Sequence, residues 1–113
     1  MVTDMKEPIL YQYTDNVIRA PVIDMKTGEQ VDPAVFPRVE YSIGEFGGAK
    51  LLSLDLSSGI SVKNNEFVIF IDDSLIDSSI IGRKRHQLVC WNLAGDKLPP
   101  IFSGDILINQ VFL

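Results

Sequence analysis

Residues 39–56 read VEYSIGEFGGAKLLSLDL, and the spacing of apolar side chains in this stretch indicates the fold class. Apolar residues occupy every second position on either side of a glycine-rich segment, which is the period of a β-strand with one buried face. They are Val39, Tyr41 and Ile43 before it, and Leu52, Leu54 and Leu56 after it. Segment 44–48 therefore predicts a hairpin turn. A phosphate-binding loop is disfavoured, because no Lys-Ser or Lys-Thr pair and no helical pattern follows.

The rest of the 113-residue chain repeats this organisation, with turn signals spaced roughly every 10 residues between short β-rich runs. No long helical period interrupts the runs. The sequence therefore predicts one all-β domain, an antiparallel immunoglobulin-like β-sandwich of seven or eight strands with one short helical turn near residues 74–79. Residues 1–13 are expected to be an N-terminal arm or first strand, and residues 14–113 the β-sandwich domain.

Two runs, residues 67–71 and 88–91, are apolar on both faces. Such runs are typical of central strands, or of strands whose outer face meets another subunit. We predict that four of their residues lie in the core between the sheets, namely Phe67, Ile69, Val89 and Trp91. The strand over residues 17–24 contains Pro21, which predicts a sheet edge or a bulge because proline donates no ladder hydrogen bond. A last strand is predicted over residues 106–112.

Asp72, Asp73 and Asp77 form an acidic cluster around the predicted helical turn. Ser74 is expected to cap this turn, with Asp77 in a capping box. A calcium site is the alternative for the same carboxylates, but the Asp-x-Asp-x-Asp-Gly spacing of such sites is absent. We therefore expect no metal site and no cofactor.

The charge balance disfavours nucleic-acid partners, because 10 basic and 15 acidic residues give a net charge of −5. The one basic run, residues 83–86, is expected to be a solvated strand entrance with His86 on the surface. The N-terminal residues lack the apolar core of a signal peptide, and no apolar run is long enough to span a bilayer. We expect no membrane partner.

The sequence contains few side chains that could serve as the nucleophile and the general base of an enzyme. Cys90, the one cysteine, lies in a run that predicts a buried and inert thiol. His86 and Cys90 share one strand face, but about 13 Å separates their Cα atoms at the usual strand rise. One histidine and one cysteine are too few for a zinc site. We therefore predict no catalytic residue and no enzyme.

Four residues near the N-terminus, Ile9, Leu10, Tyr11 and Tyr13, have no clear place in a seven-stranded core. Leaving them in water costs free energy in proportion to their apolar area. We predict that residues 7–13 cover a subunit interface, either by adding a strand to a neighbouring sheet or by packing across it. A homo-oligomer is expected, and deletion of residues 1–13 is expected to lower its order without unfolding the sandwich.

Several short motifs resemble a small β-sandwich domain of tailed-bacteriophage virion proteins, similar to the N-terminal domain of baseplate upper proteins and related short tail or neck proteins. The motifs are Thr14-Asp15, residues 27–32, 39–43, 58–62, 67–75, 86–93 and 104–108. Two positions depart from the pattern, because Pro33 follows Asp32 and no Leu-Pro pair ends the capped turn. The resemblance implies a structural virion component, assembled in the host cytoplasm through contacts with other virion proteins, and implies no catalytic residue.

A stand-alone recognition module that binds carbohydrate or peptide is the alternative function. Such a module needs an exposed aromatic platform with convergent polar side chains. Tyr11, Tyr13 and Trp91 are the candidate platform residues in this sequence.

Overall fold

A computed structural model describes residues 8–111 of the chain, and these residues form nine strands. In chain order the strands are β1 Ile9–Tyr11, β2 Asn16–Ile23, β3 Gln30–Val31, β4 Arg38–Gly44, β5 Lys50–Asp55, β6 Ile60–Lys63, β7 Glu66–Ile71, β8 Gly82–Trp91 and β9 Phe102–Asn109. The connections contain three 3₁₀ turns, Pro33–Val35, Asp73–Leu75 and Ser78–Ile80.

The strands pair into two sheets, one of five strands in the order β1-β9-β8-β4-β5 and one of four in the order β3-β2-β7-β6. Every pairing is antiparallel except that of β1 with β9. The predicted antiparallel β-sandwich is confirmed, although it has nine strands where seven or eight were expected. β1 and β3, of three and two residues, are too short for their alternation to stand out in the sequence.

The strand positions follow from the apolar runs. β7 and β8 each have a neighbour on both sides, as their doubly apolar sequences predicted. β3 pairs with β2 only at Val22 and Ile23, so the first part of β2 runs along the sheet edge within residues 8–111. Pro21 lies immediately before this pairing, in agreement with the predicted edge position.

The core between the sheets contains Phe67 and Ile69, both fully buried. The prediction was wrong for Val89 and Trp91, because the inward-facing residues of β8 are His86, Leu88 and Cys90. Successive strand side chains point to opposite faces, so Val89 and Trp91 lie on the outer face of the five-stranded sheet. Val89 is nevertheless buried there, whereas Trp91 is half-buried.

The predicted single helical turn is two consecutive 3₁₀ turns; Ser74 is not a cap, whereas Asp77 is one, although it caps the second turn. Asp72 caps the first turn by accepting a hydrogen bond from the Ser74 backbone N–H at 2.9 Å. Asp77 caps the second turn by accepting one from the Ser79 backbone N–H at 2.8 Å. A carboxylate two residues ahead of a free N–H makes this contact readily, so each turn is capped by its own aspartate.

The β5–β6 connection depends on Gly59, which has a φ of +97°. A Cβ at this position would lie 3.0 Å from Leu54 Cδ2 and 3.1 Å from the Phe70 carbonyl oxygen. Gly95 is a matched position, since its φ is +87° but no atom lies within 4 Å of the corresponding Cβ.

We expect Gly95→Ala to lower the free energy of unfolding by about 1 kcal/mol, the cost of a left-handed backbone with a side chain. Gly59→Ala adds crowding and is expected to cost about 1–3 kcal/mol more. Urea denaturation of the two variants measures the difference. Equal losses in both would contradict the tight approach of β5 and β7 around Gly59.

Candidate interaction surface

The first strand divides the predicted interface residues between two faces. Leu10 points into the sandwich and is only 3% exposed, so its assignment to an interface was wrong. Ile9 and Tyr11 point outward from the five-stranded sheet and are 49% and 45% exposed. β1 is therefore part of the sheet, and deletion of residues 1–13 would remove a core residue as well as surface residues. Residues 1–7 lie outside the described range.

The outer edge of β1 is closed at Tyr11 by the Asn16 side chain. The Tyr11 N–H donates to Asn16 Oδ1 at 3.2 Å, and Asn16 Nδ2 donates to the Tyr11 carbonyl at 3.0 Å. The Thr14 hydroxyl donates to the same carbonyl at 2.9 Å. Because these groups occupy the positions that a neighbouring strand would use, the geometry disfavours strand addition at Tyr11. The outward side chains remain available for packing.

Tyr13 continues this exposed series in the connection from β1 to β2. Its φ of 63° places it in the left-handed region, and its ring is about half exposed. We call Ile9, Tyr11 and Tyr13 the N-terminal surface. Two further exposed apolar residues, Val17 and Phe70, lie directly opposite each other on the outer face of the four-stranded sheet. The doubly apolar sequence of β7 was the signal for an apolar side chain on this face.

His86 is buried and not on the surface, which corrects the prediction. It is 4% exposed and points inward, where its Nδ1 lies 3.0 Å from the Tyr41 hydroxyl. Its ring centroid is 4.9 Å from that of Phe102. Burial raises the pKa of Tyr41 and, assisted by the charge of Arg85, lowers the pKa of His86 to about 4. His86 is therefore neutral, and its Nδ1 shares one hydrogen bond with the Tyr41 hydroxyl, whose direction depends on the imidazole tautomer.

The basic run beside His86 is neutralised by acidic neighbours. Arg83 and Arg85 both contact Asp105, at 3.3 and 3.1 Å, and Lys84 contacts Glu45 at 2.8 Å. Cations that are already paired offer little net charge to a phosphate backbone. The absence of a nucleic-acid partner stays a prediction, and the pairing of these residues is consistent with it.

Intrachain hydrogen bonds account for the acidic cluster. The carboxylates of Asp15, Asp72 and Asp73 lie close together on the surface, and Asp77 is not among them. Asp15 accepts from the Asp73 backbone N–H at 2.9 Å, and Asp72 caps its 3₁₀ turn. The hydrogen bond from the Ser74 backbone N–H, followed by one from the Asp73 carboxyl, lowers the pKa of Asp72, and the hydrogen bond to Asp72 raises the pKa of Asp73. The expectation that no metal binds stays a prediction.

The remaining reactive side chain, Cys90, is fully buried as predicted, and burial raises its pKa to about 12. Its thiol is therefore protonated at neutral pH and unreactive.

Trp91, a candidate platform residue, is flanked by two cations. The Arg38 guanidinium carbon lies 3.8 Å from the ring centroid, and Lys97 Nζ lies 5.7 Å from it.

Within residues 8–111, no helix has the length and apolar character that crossing a bilayer requires.

The glycine-rich segment forms the tip of the β4–β5 hairpin, as the sequence predicted. The Gly48 N–H donates to the Glu45 carbonyl at 3.2 Å, and a strand follows the tip. Phe46 projects from the tip and is largely exposed. The sequence signal for this residue was present, since an aromatic side chain in a short glycine-rich turn has little to pack against.

Comparison with known proteins adds little. No protein-family model matches the chain. No curated protein matches it significantly. Among solved structures, the chain is similar to a fibronectin(III)-like module of Clostridium thermocellum CbhA, with 10% identity, a TM-score of 0.49 and coverage of 98% of each chain. A likeness at this level carries no information about function.

Proposed function

We propose that this chain is a non-enzymatic β-sandwich module that acts through protein–protein contacts, with a second copy of itself as a partner. The observation that carries the proposal is the N-terminal surface, where Ile9, Tyr11 and Tyr13 are exposed at alternate positions of the sequence on a domain with a core of its own. Tyrosines are enriched in interface cores, because they bury a large area and keep a polar tip.

A second copy suits this surface for an electrostatic reason. In a two-fold contact the same patch lies on both partners, so a charged patch faces its own charge. The whole chain carries a net charge of −5, but the N-terminal surface contains no charged residue. Contact there brings two acidic molecules together where no like charges oppose each other. The closed edge at Tyr11 favours packing of side chains over strand addition.

The buried positions of the two candidate catalytic side chains support a non-enzymatic role. His86 is held by Tyr41, and Cys90 is protonated in the core. In the part of the chain that the structure describes, both residues are buried.

We further propose that the module is a structural component of a tailed-bacteriophage virion, in its tail, baseplate, neck or capsid surface. The support for this finer assignment is the set of sequence motifs alone. Under this proposal, the protein is assembled in the host cytoplasm, becomes part of the virion and has other virion proteins as partners. Capsid, portal or tail genes on both sides of the coding sequence are the expected result, and a neighbourhood of metabolic genes contradicts it.

Substitution of the N-terminal surface tests the self-association. We expect Ile9→Ser combined with Tyr11→Ser to weaken the dimer by at least about tenfold in Kd, because both lost side chains are apolar interface groups. Light scattering over a range of protein concentrations gives the Kd. Leu93→Ser is the matched control, since Leu93 is 87% exposed and lies far along the chain from this surface. An equal effect of both variants contradicts the assignment.

A further inference from the structure

We propose that the outer face of the five-stranded sheet carries a binding groove for a neutral oligosaccharide, separate from the N-terminal surface. The strand register places four small polar residues in one line across four adjacent strands. From β5 through β4 and β8 to β9 they are Ser53, Ser42, Gln87 and Ser103. Strands lie about 4.8 Å apart, so this row is about 14 Å long.

Three residues of this row, on β4, β8 and β9, form the floor of a groove of about 310 Å³, at the lower end of the range for ligand sites. The three residues are Ser42, Gln87 and Ser103, and Gly44 lies beside them, where the Ala49 carbonyl oxygen approaches to 2.9 Å from the position of a Cβ. The β4–β5 hairpin tip forms one wall. The depth therefore results from small residues on the floor between larger ones at the rim.

The floor presents hydrogen-bonding groups that the chain itself leaves unused. Ser42 is 5% exposed, and within residues 8–111 no hydrogen bond engages its hydroxyl or the Gln87 amide. Ser103 receives only a long contact of 3.5 Å from Arg85. A hydroxyl and a primary amide each donate and accept, which matches the hydroxyl groups of a sugar. The polar atoms of Ser42 and Gln87 are accessible to solvent, so a ligand hydroxyl would replace water as their partner.

The rim selects against a charged ligand. Its cations are already paired, since Lys50 contacts Glu40 and Arg85 contacts Asp105. A ligand carboxylate or phosphate would meet the negative charge of Glu40 or Asp105 beside each of these cations. Phe46, exposed on the hairpin tip with its ring 5.9 Å from the Arg85 guanidinium carbon, offers an apolar surface for the C–H groups of a pyranose ring.

The direction of the row argues against an extended peptide. A peptide adds to a sheet along a strand edge, through backbone hydrogen bonds. This row runs across the strands and presents side-chain groups in the middle of a sheet face, which suits a chain of hydroxyl-bearing rings.

Titration of the isotope-labelled full chain with cellotriose, chitotriose and maltotriose, followed by heteronuclear NMR, tests the proposal. We expect at least one trisaccharide to shift the Gln87 side-chain amide and the backbone amides of Ser42 and Ser103. Gln87→Ala is expected to weaken binding about tenfold, the loss of good hydrogen bonds. Ser61→Ala, a serine on the outer face of the other sheet, is the matched control and should bind as the wild type does.

Three results would overturn the proposal. These are no shift at the groove with any neutral trisaccharide, undiminished binding by Gln87→Ala, and binding of trigalacturonate without binding of the neutral sugars. The Ile9→Ser/Tyr11→Ser variant separates this site from the dimer contact, because it is expected to lose self-association while it retains sugar binding.

Discussion

Phe67→Ala is expected to lower the free energy of unfolding by about 3–5 kcal/mol, a large part of the ~5–15 kcal/mol that stabilises a domain of this size. Phe67 is fully buried on the inner face of β7, and its ring centroid lies 6.4 Å from that of Phe36. Truncation removes the apolar contacts and leaves a cavity between the sheets. We expect the variant to be insoluble or largely unfolded at room temperature, as measured by circular dichroism and urea denaturation.

Trp91→Ala is the informative comparison, because a larger aromatic ring is removed from the outer face of the sheet. Trp91 is half-buried and contacts Arg38 and Lys97 instead of the core. We expect a loss of about 1 kcal/mol, since mainly exposed cation–π contacts disappear. A loss from Trp91→Ala as large as that from Phe67→Ala would contradict the orientation of β8.

The second large effect is a loss of stability in acid that originates at His86. Its pKa is lowered from 6.5 to about 4 in the folded chain, first by burial and then by the charge of Arg85, with Asp105 acting in the opposite direction. The unfolded chain therefore binds a proton more readily than the folded chain does. The stabilising contribution is complete above pH 6.5 and is lost as the pH falls towards 4, by about 3 kcal/mol in total.

Urea denaturation of the wild type and of His86→Gln between pH 7 and pH 4 measures this contribution. Glutamine keeps an acceptor near the Tyr41 hydroxyl but does not titrate. We expect the variant to be less stable at pH 7 and to lose about 3 kcal/mol less on acidification. Carboxylates contribute equally to both proteins, so the difference between the two pH profiles isolates His86. Identical profiles would contradict its burial as a neutral side chain.

The alternating sequence of β4 and β5 predicted the sandwich, because a strand with one buried face has an unambiguous period of two. This period gives no information where both faces of a strand are apolar. The run containing Val89 and Trp91 gave no signal for which side chains point inward, and the same ambiguity at residues 9–11 hid the core position of Leu10. Only the pairing with neighbouring strands resolves such runs.

His86 was misplaced for a different reason. Its basic neighbours indicated a solvated segment, but Arg83 and Arg85 occupy the outward positions of β8 and His86 the inward one. Its partner Tyr41 lies 45 residues away, so no local pattern predicts the hydrogen bond between them. The polar groove was also invisible in the sequence, because its three floor residues come from three strands and only the register of the sheet brings them together.

The last strand begins four residues before the apolar run that predicted it. A strand was predicted over residues 106–112, but β9 starts at Phe102 and passes through Gly104 without ending. Gly104 pairs with His86, whose bulky side chain occupies the neighbouring inner position. Glycine has a low propensity for β-strands, but the pairing of β9 with the central strand β8 keeps Gly104 within the strand.

Sedimentation equilibrium of the wild-type chain measures self-association through the N-terminal surface. We expect an average mass that rises with protein concentration from the 12.6 kDa of the monomer towards at least twice that value. A mass that stays at 12.6 kDa up to about 100 µM, where contacts with micromolar Kd are saturated, would contradict it.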